Sequence, residues 1–302
     1  MRQGEDMRVE MIADYRCHTG ENPLWHPQSY RLYWTDIPTG RIFQYDPKSG
    51  EHAQIYSGRP VGGFTFQADG GLLLFRDRGN VALWRDGELE EVIPEIPEEI
   101  DSRFNDVIAD PVGRVFCGTM SSDKAKGRLY RLDLDGRVSP VLAGIGCSNG
   151  MGFSTDLRAF YYTDSFAGEI YQFHYNAEDG ALSNRQIFAT VPKADGLPDG
   201  LTVDADGAVW SALWDGSGII RFDDGGNINL RVQFPARKVS SLTFGGETLQ
   251  DIYVTTAGGH TKDEDGDLAG ALFRYRCKAF GRAEFVSRIQ IPSRGSQGSN
   301  VV

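Results

Sequence analysis

A chain of 302 residues, 40% hydrophobic and 24% charged, is long enough to bury a large core. A net charge of −11 opposes binding to a phosphate backbone, which runs on clustered Lys and Arg, so nucleic acid is excluded as an expected partner. No apolar run reaches the roughly 20 residues of a membrane span, the start lacks the apolar core of a signal peptide, and Cys17, Cys117, Cys147 and Cys277 form no C-x-x-C pair. The expectation is a cytoplasmic protein with reduced thiols and no membrane partner, monomeric or weakly homo-oligomeric.

In chain order, residues 1–7 and 293–302 are set aside as tails, and 8–292 is expected to form one domain without a linker. VEMIADY at 9–15 is a predicted strand, expected to pair with EFVSRIQI at 284–291. The first hairpin unit follows, with GENPLW at 20–25, YRLYWTD at 30–36 and GRIFQYDP at 40–47. Gly62 precedes Phe66, Gly70 and GLLLFRD, and the acidic stretch 86–101 reads as a solvated connection. Asn105 precedes Ala109, Gly113 and RVFCGTM, then GRLYRLDLDG at 127–136. Asn149 precedes Phe153, Leu157 and RAFYYTD, then GEIYQFHYNAEDG at 168–180. Asp199 precedes Val203, Gly207 and AVWSAL, and Ser240 precedes Phe244, Thr248 and LQDIYVTT.

These six copies share one grammar of short strand, tight turn, aromatic strand and further strand. A spacing of about 40 to 50 residues belongs to propeller blades rather than helical repeats. A small sheet cannot bury both faces alone, and six arranged radially can. The predicted fold is therefore an all-β, six-bladed propeller with a central channel, its ring closed by the terminal strands.

In a propeller the innermost strands line the channel, so equivalent positions form a ring: Glu21, Gly62, Asn105, Asn149, Asp199 and Ser240. Two carboxylates and two carboxamides are hard oxygen donors of the kind Ca²⁺, Mg²⁺ or Mn²⁺ prefers, and with no His in the ring a His-rich zinc site is disfavoured, though Zn²⁺ stays open. Taken singly, Asp in PDG, Asn in SNG and Glu in GEN are turn residues.

The motifs SRFNDV at 102–107, GENPLW at 20–25, SNGMGFS at 148–154 and LPDGLTVDADGAVW at 197–210 occur in order along nearly the whole chain. Together they resemble the senescence-marker-protein, gluconolactonase and luciferin-regenerating-enzyme family. The resemblance implies a six-bladed propeller holding one divalent cation through Glu21, Asn149 and Asp199, and a hydrolase that opens sugar lactones. It implies Arg103 and Asn105 as substrate contacts and Asp199 as general base. A further acidic contact falls on Asp123, in SSDK, where the shorter side chain bears on sugar preference. An esterase or organophosphate hydrolase, and a non-enzymatic calcium-binding regulator, are the alternatives. Outside the ring, HTKDEDGDLAG at 260–270 reads as a solvated hairpin tip near the channel, Trp214 and Asp215 as pocket or packing residues, and Asp36 and Asp164 as turn-bonding residues.

Overall fold

Each predicted repeat becomes one four-stranded antiparallel sheet in the computed structural model, which describes residues 8–291; five are meanders of consecutive strands and the sixth takes its fourth strand from the N-terminal segment. Both tails and Pro292 lie outside the described residues. The first blade runs Gly20–His26, Arg31–Asp36, Arg41–Tyr45, His52–Ser57, and the second Val61–Phe66, Leu72–Arg76, Val81–Arg85, Glu88–Ile93. The third, fourth and fifth begin at Phe104–Ala109, Ser148–Phe153 and Leu197–Val203. The sixth combines Val239–Gly245, Asp251–Thr256 and Ala271–Arg276 with the N-terminal strand Val9–Asp14.

The strands grade from buried to wet. Phe104–Ala109, Val61–Phe66 and Ser148–Phe153 are buried almost throughout, whereas the outer strand Leu182–Thr190 is mostly exposed. Apolar side chains on both faces of a blade need a neighbour on each side, and six interblade cores supply it. Examples are Leu24, Ile42 and Phe64 between the first and second blades, Phe116, Phe153 and Phe160 between the third and fourth, and Trp210, Phe244 and Phe273 between the fifth and sixth. Trp25, Trp34 and Tyr253 join the sixth blade back to the first. The ring has no exposed seam, which is how a propeller avoids unpaired sheet edges.

Two expectations need correction. The N-terminal strand closes the ring against Ala271–Arg276, not against 284–291. The later segment is no strand. It crosses the channel at the ends of the inner strands, with Ser287 N–H on the Phe66 carbonyl, Arg288 N–H on Gly113 and Gln290 N–H on Leu134. Its alternating apolar residues serve as a plug, with Ile289 packed into the core between the second and third blades. The stretch 86–101 is not merely solvated either: Glu88–Ile93 is the outer strand of the second blade, and Glu99 is buried, accepting from Arg128 and the Tyr130 hydroxyl at 2.8 Å each.

Candidate active site

Each ring position lies on an innermost strand where the pairing slips: between Glu21 and Leu24, Val61 and Gly63, Phe104 and Asp106, Asn149 and Met151, Pro198 and Leu201, Val239 and Ser241. Such β-bulges kink a strand and re-aim one side chain. Pro198-Asp199-Gly200 is thus no turn, as its composition suggested, but a bulge inside the strand Leu197–Val203. The slip leaves a backbone N–H unpaired, and the ring side chain takes it. Asn22 N–H donates to Glu21 Oε2 at 2.9 Å and Gly150 N–H to Asn149 Oδ1 at 3.2 Å, while Gly200 N–H donates to the Asp199 carboxylate.

Four of the six ring residues, Glu21, Asn105, Asn149 and Asp199, line one cleft of about 350 Å³ together with Arg103. The other two seal its wall. A Cβ on Gly62 would stand 1.9 Å from the Phe104 carbonyl oxygen, so only hydrogen fits there. The Ser240 hydroxyl is turned away, donating to the Gly20 carbonyl at 2.5 Å.

Asn149 Nδ2 donates to Ser165 Oγ at 3.1 Å, and the Asn149 amide also donates to Asp199. Arg103 Nη1 donates to Asn105 Oδ1 at 2.7 Å and to the Phe104 carbonyl at 2.9 Å. Asn105 Nδ2 in turn donates to the Ser148 carbonyl at 2.9 Å. Both ends of that amide are therefore engaged by the protein, so Asn105 holds Arg103 and ties the third blade to the fourth. Asp123 is exposed on the loop after Met120 and does not line the cleft.

The electrostatics are those of an acid-rich pocket whose ring side chains are buried. Burial, reinforced by the Asp106 charge below, pushes the Glu21 carboxyl up to about 8. Burial and then the Glu21 charge raise Asp199 well above the usual carboxylate range. Burial also draws Arg103 below its ordinary value, opposed by Cys147, Glu21 and Asp199. One guanidinium thus faces several carboxyls, and a buried carboxylate must find positive charge or a proton. The donor set suits a hard divalent cation: carboxyl oxygens of Glu21 and Asp199, and the second lone pair of Asn149 Oδ1. Among the described residues no three His, Cys, Asp or Glu side chains cluster for a metal, so an ion here would complete its shell with the amide oxygen and water.

Several contributors carried no clear sequence signal. Asp164 accepts from the N–H groups of Gly146 and Cys147 at 3.0 Å each, and Asp36 accepts from Thr19 N–H at 2.9 Å. These two carboxylates grip the chain just before Asn149 and Glu21, a role beyond the simple turn bonding expected of them. An apolar wall of Met120, Phe166, Leu197 and Trp214 faces the polar floor. Lys238 stands over the Trp214 ring at 5.6 Å, and Asp215 pairs with Arg237 at 3.0 Å instead of facing the cleft. Within 260–270 the chain forms a short helix, Lys262–Asp265, rather than a solvated hairpin tip. Asp265 is buried there, bonded by Lys238 Nζ at 2.7 Å and Thr261 Oγ1 at 2.6 Å, so its charge is already answered.

Comparison with known proteins bears on the family and the fold. Residues 19–258 match the family model described as SMP-30/Gluconolactonase/LRE-like region. The chain is 46% identical over 292 residues to pentonolactonase XacC of Haloferax volcanii, covering 94% of this chain and all of that protein. It is 32% identical over 260 residues to regucalcin of Bos taurus, covering 83% and 87% of the two chains. A solved luciferin-regenerating enzyme superposes with a TM-score of 0.86 at 28% identity, over 93% of this chain and 99% of that one.

Proposed function

The chain belongs to the SMP-30/gluconolactonase/LRE-like family, and from that premise we propose that it hydrolyses the ring ester of sugar lactones, with pentonolactones the first substrates to assay. The observation that carries the reading is the convergence of Glu21, Asn149, Asp199 and Arg103 in one cleft of about 350 Å³, in a chain 46% identical to a pentonolactonase.

Glu21, Asn149 and Asp199 are the residues that would hold a divalent cation, which when bound supplies Lewis-acid polarisation of the lactone carbonyl. Asp199 accepts the proton of the water that attacks the ring carbon, as a carboxylate that lines the cleft. The proton passes to the ring oxygen as the C–O bond breaks, so lactone and water leave as one hydroxy acid. Arg103 directs its remaining N–H donors at sugar hydroxyls, with Asn105 fixing the guanidinium. The apolar wall of Phe166, Leu197 and Trp214 packs on the C–H face of the sugar ring. Asp123, on the loop after the cleft residue Met120 but outside the lining, would reach only the far end of a longer substrate.

The test is acid release from pentono- and hexonolactones, with and without a chelator. Chelator-sensitive turnover is expected, fastest on one lactone class. Turnover confined to aryl esters or phosphotriesters, or none by metal-loaded protein, would overturn the reading in favour of an esterase or an ion-binding regulator.

A further inference from the structure

The two carboxamides of the ring share a partner, the thiol of Cys147. This side chain lines the cleft and is buried. Its Sγ lies 3.9 Å from Asn105 Nδ2, 3.9 Å from Asn149 Nδ2 and 3.3 Å from Met120 Sδ. Ser165, also buried in the cleft wall, accepts from Asn149 Nδ2 at 3.1 Å and donates its own hydroxyl to Cys147. The backbone holds the thiol in place: Cys147 N–H donates to Asp164 Oδ1 at 3.0 Å, and its carbonyl accepts Ser165 N–H at 3.1 Å. Met120, from the end of the third blade, meets Cys147 through an isolated antiparallel bridge.

The direction of every proton in this cluster follows from one end of it. A thioether has lone pairs but no hydrogen, so Met120 can only accept. The Cys147 proton therefore points at Met120, and Sγ is left as an acceptor for the Ser165 hydroxyl and the two amides. Ser165, having given its proton to sulfur, can only accept from Asn149. With its NH2 claimed on that side, Asn149 turns Oδ1 to the Gly150 N–H and the cleft. Asn105 gives one N–H to the Ser148 carbonyl and the other to the same sulfur, so its Oδ1 faces Arg103. We propose that Cys147, oriented by Met120 and relayed by Ser165, is a positioning residue that fixes the polarity of both carboxamides, holding Asn149 oxygen-first toward the cation and Asn105 oxygen-first toward Arg103. A reversed Asn149 amide would point hydrogen at the ion. The effect on cation affinity rests on the reading of Glu21, Asn149 and Asp199 as ligands, whereas the orientation of the amides does not.

Two measurements on the chelated, full-length protein test it: the Kd for Mn²⁺ by calorimetry, and solvent exchange of the Asn149 side-chain NH2 protons by NMR without metal. Ser165→Ala and Cys147→Ala should each weaken Mn²⁺ binding by about tenfold or more. They should also speed the amide exchange, and the double variant should be little worse than the weaker single, because both break one chain. Cys147→Ser, whose hydroxyl can make the same bonds, should restore both values toward the parent. Melts in chelator check that each variant is folded. Parental Kd and exchange in both alanine variants overturn the proposal, as does a Cys147→Ser variant as impaired as Cys147→Ala, which would mark a packing role. A parent that binds no Mn²⁺ refutes the cation reading of the cleft, and the exchange rates then decide the positioning role alone. Should Cys147→Ala not fold, Ser165→Ala decides by the same two measurements.

Discussion

Gly150 stands between the Asn149 bulge and the strand that carries Asp199, and a methyl group there should separate stability from activity. A Cβ built on Gly150 falls 2.4 Å from the Asp199 carbonyl oxygen and 2.6 Å from Leu201 N, both backbone atoms that cannot rotate aside. Ordinary contact begins at 3.4 Å, so in Gly150→Ala the strand Leu197–Val203 must retreat by about 1 Å. Overpacking of this kind costs about 1–3 kcal/mol, which for a domain of this size lowers Tm by about 2–5 °C. A shift of about 1 Å between catalytic groups costs on the order of 100-fold in rate. Gly150→Ala should therefore remain folded yet lose about two decades of kcat/KM at saturating cation. Gly225→Ala is the control, because its Cβ meets only the ends of the Asn227 and Asp223 side chains, at 3.0 and 3.4 Å. Kinetics on the preferred lactone and a thermal melt suffice. Gly150→Ala with parental kcat/KM would refute the idea that the spacing of inner strands sets the site.

Three further outcomes are expected. Asp199→Asn keeps an acceptor for Gly200 N–H, so it should melt near the parent while turnover falls by at least about 1,000-fold; Asp199→Leu should lose stability as well, and equal melts for the two would contradict the backbone role. In chelated protein, Glu21 and Asp106 stay protonated up to about 8 and about 7, above their ordinary 4.5 and 3.8. Between those values the native state binds more protons than the unfolded chain, so Tm should fall as pH rises from 5 to 8, and saturating cation should flatten or reverse the slope; a chelated profile that rises over this window would sink the argument. Asp204→Ala removes the wholly buried partner of Arg221 and Trp210 Nε1, both at 2.9 Å. It should cost on the order of 3 kcal/mol in urea unfolding and leave KM unchanged, whereas a raised KM would give this acid a part in binding.

The blades were legible because each repeats its own turn and strand signals, and the ring positions followed once the copies were set in register. What stayed hidden depends on contacts between copies. Strand pairing of VEMIAD with residues 271–276 rather than 284–291 is a choice between two apolar alternations of similar length, and only the geometry of the sixth blade decides it. Ser240 occupies a ring position by sequence yet spends its hydroxyl on Gly20, because the first and sixth blades meet there. Asp265 looks like a free acid in an acidic run until Lys238, from another strand end, reaches it. Trp214, a pocket candidate from the sequence, does line the cleft, but its partners in that apolar wall, Met120, Phe166 and Leu197, come from three separate loops and strand ends with no common motif. Family resemblance supplied Asp123, and its neighbours in space do not include the cleft.

The ambiguity of Asp199, a turn former by composition and a site residue by register, has one physical origin. A turn-forming Asp or Asn works by accepting a nearby backbone N–H. At a bulge the same bond is needed, since the slipped strand leaves an N–H inside the channel whose burial without a partner costs about 1–3 kcal/mol. Glu21, Asn149 and Asp199 each answer that demand. An acceptor with two oxygens, or an oxygen with two lone pairs, then has capacity left over, and the bulge aims it along the axis. A carboxylate with one oxygen held by its own backbone has little freedom to swing, so a cation bound as proposed would meet donors already in place. The local signature that reads as a turn and the donor ring that would bind metal are therefore the same hydrogen-bonding solution, repeated around the channel and completed only where neighbouring blades leave room for a side chain.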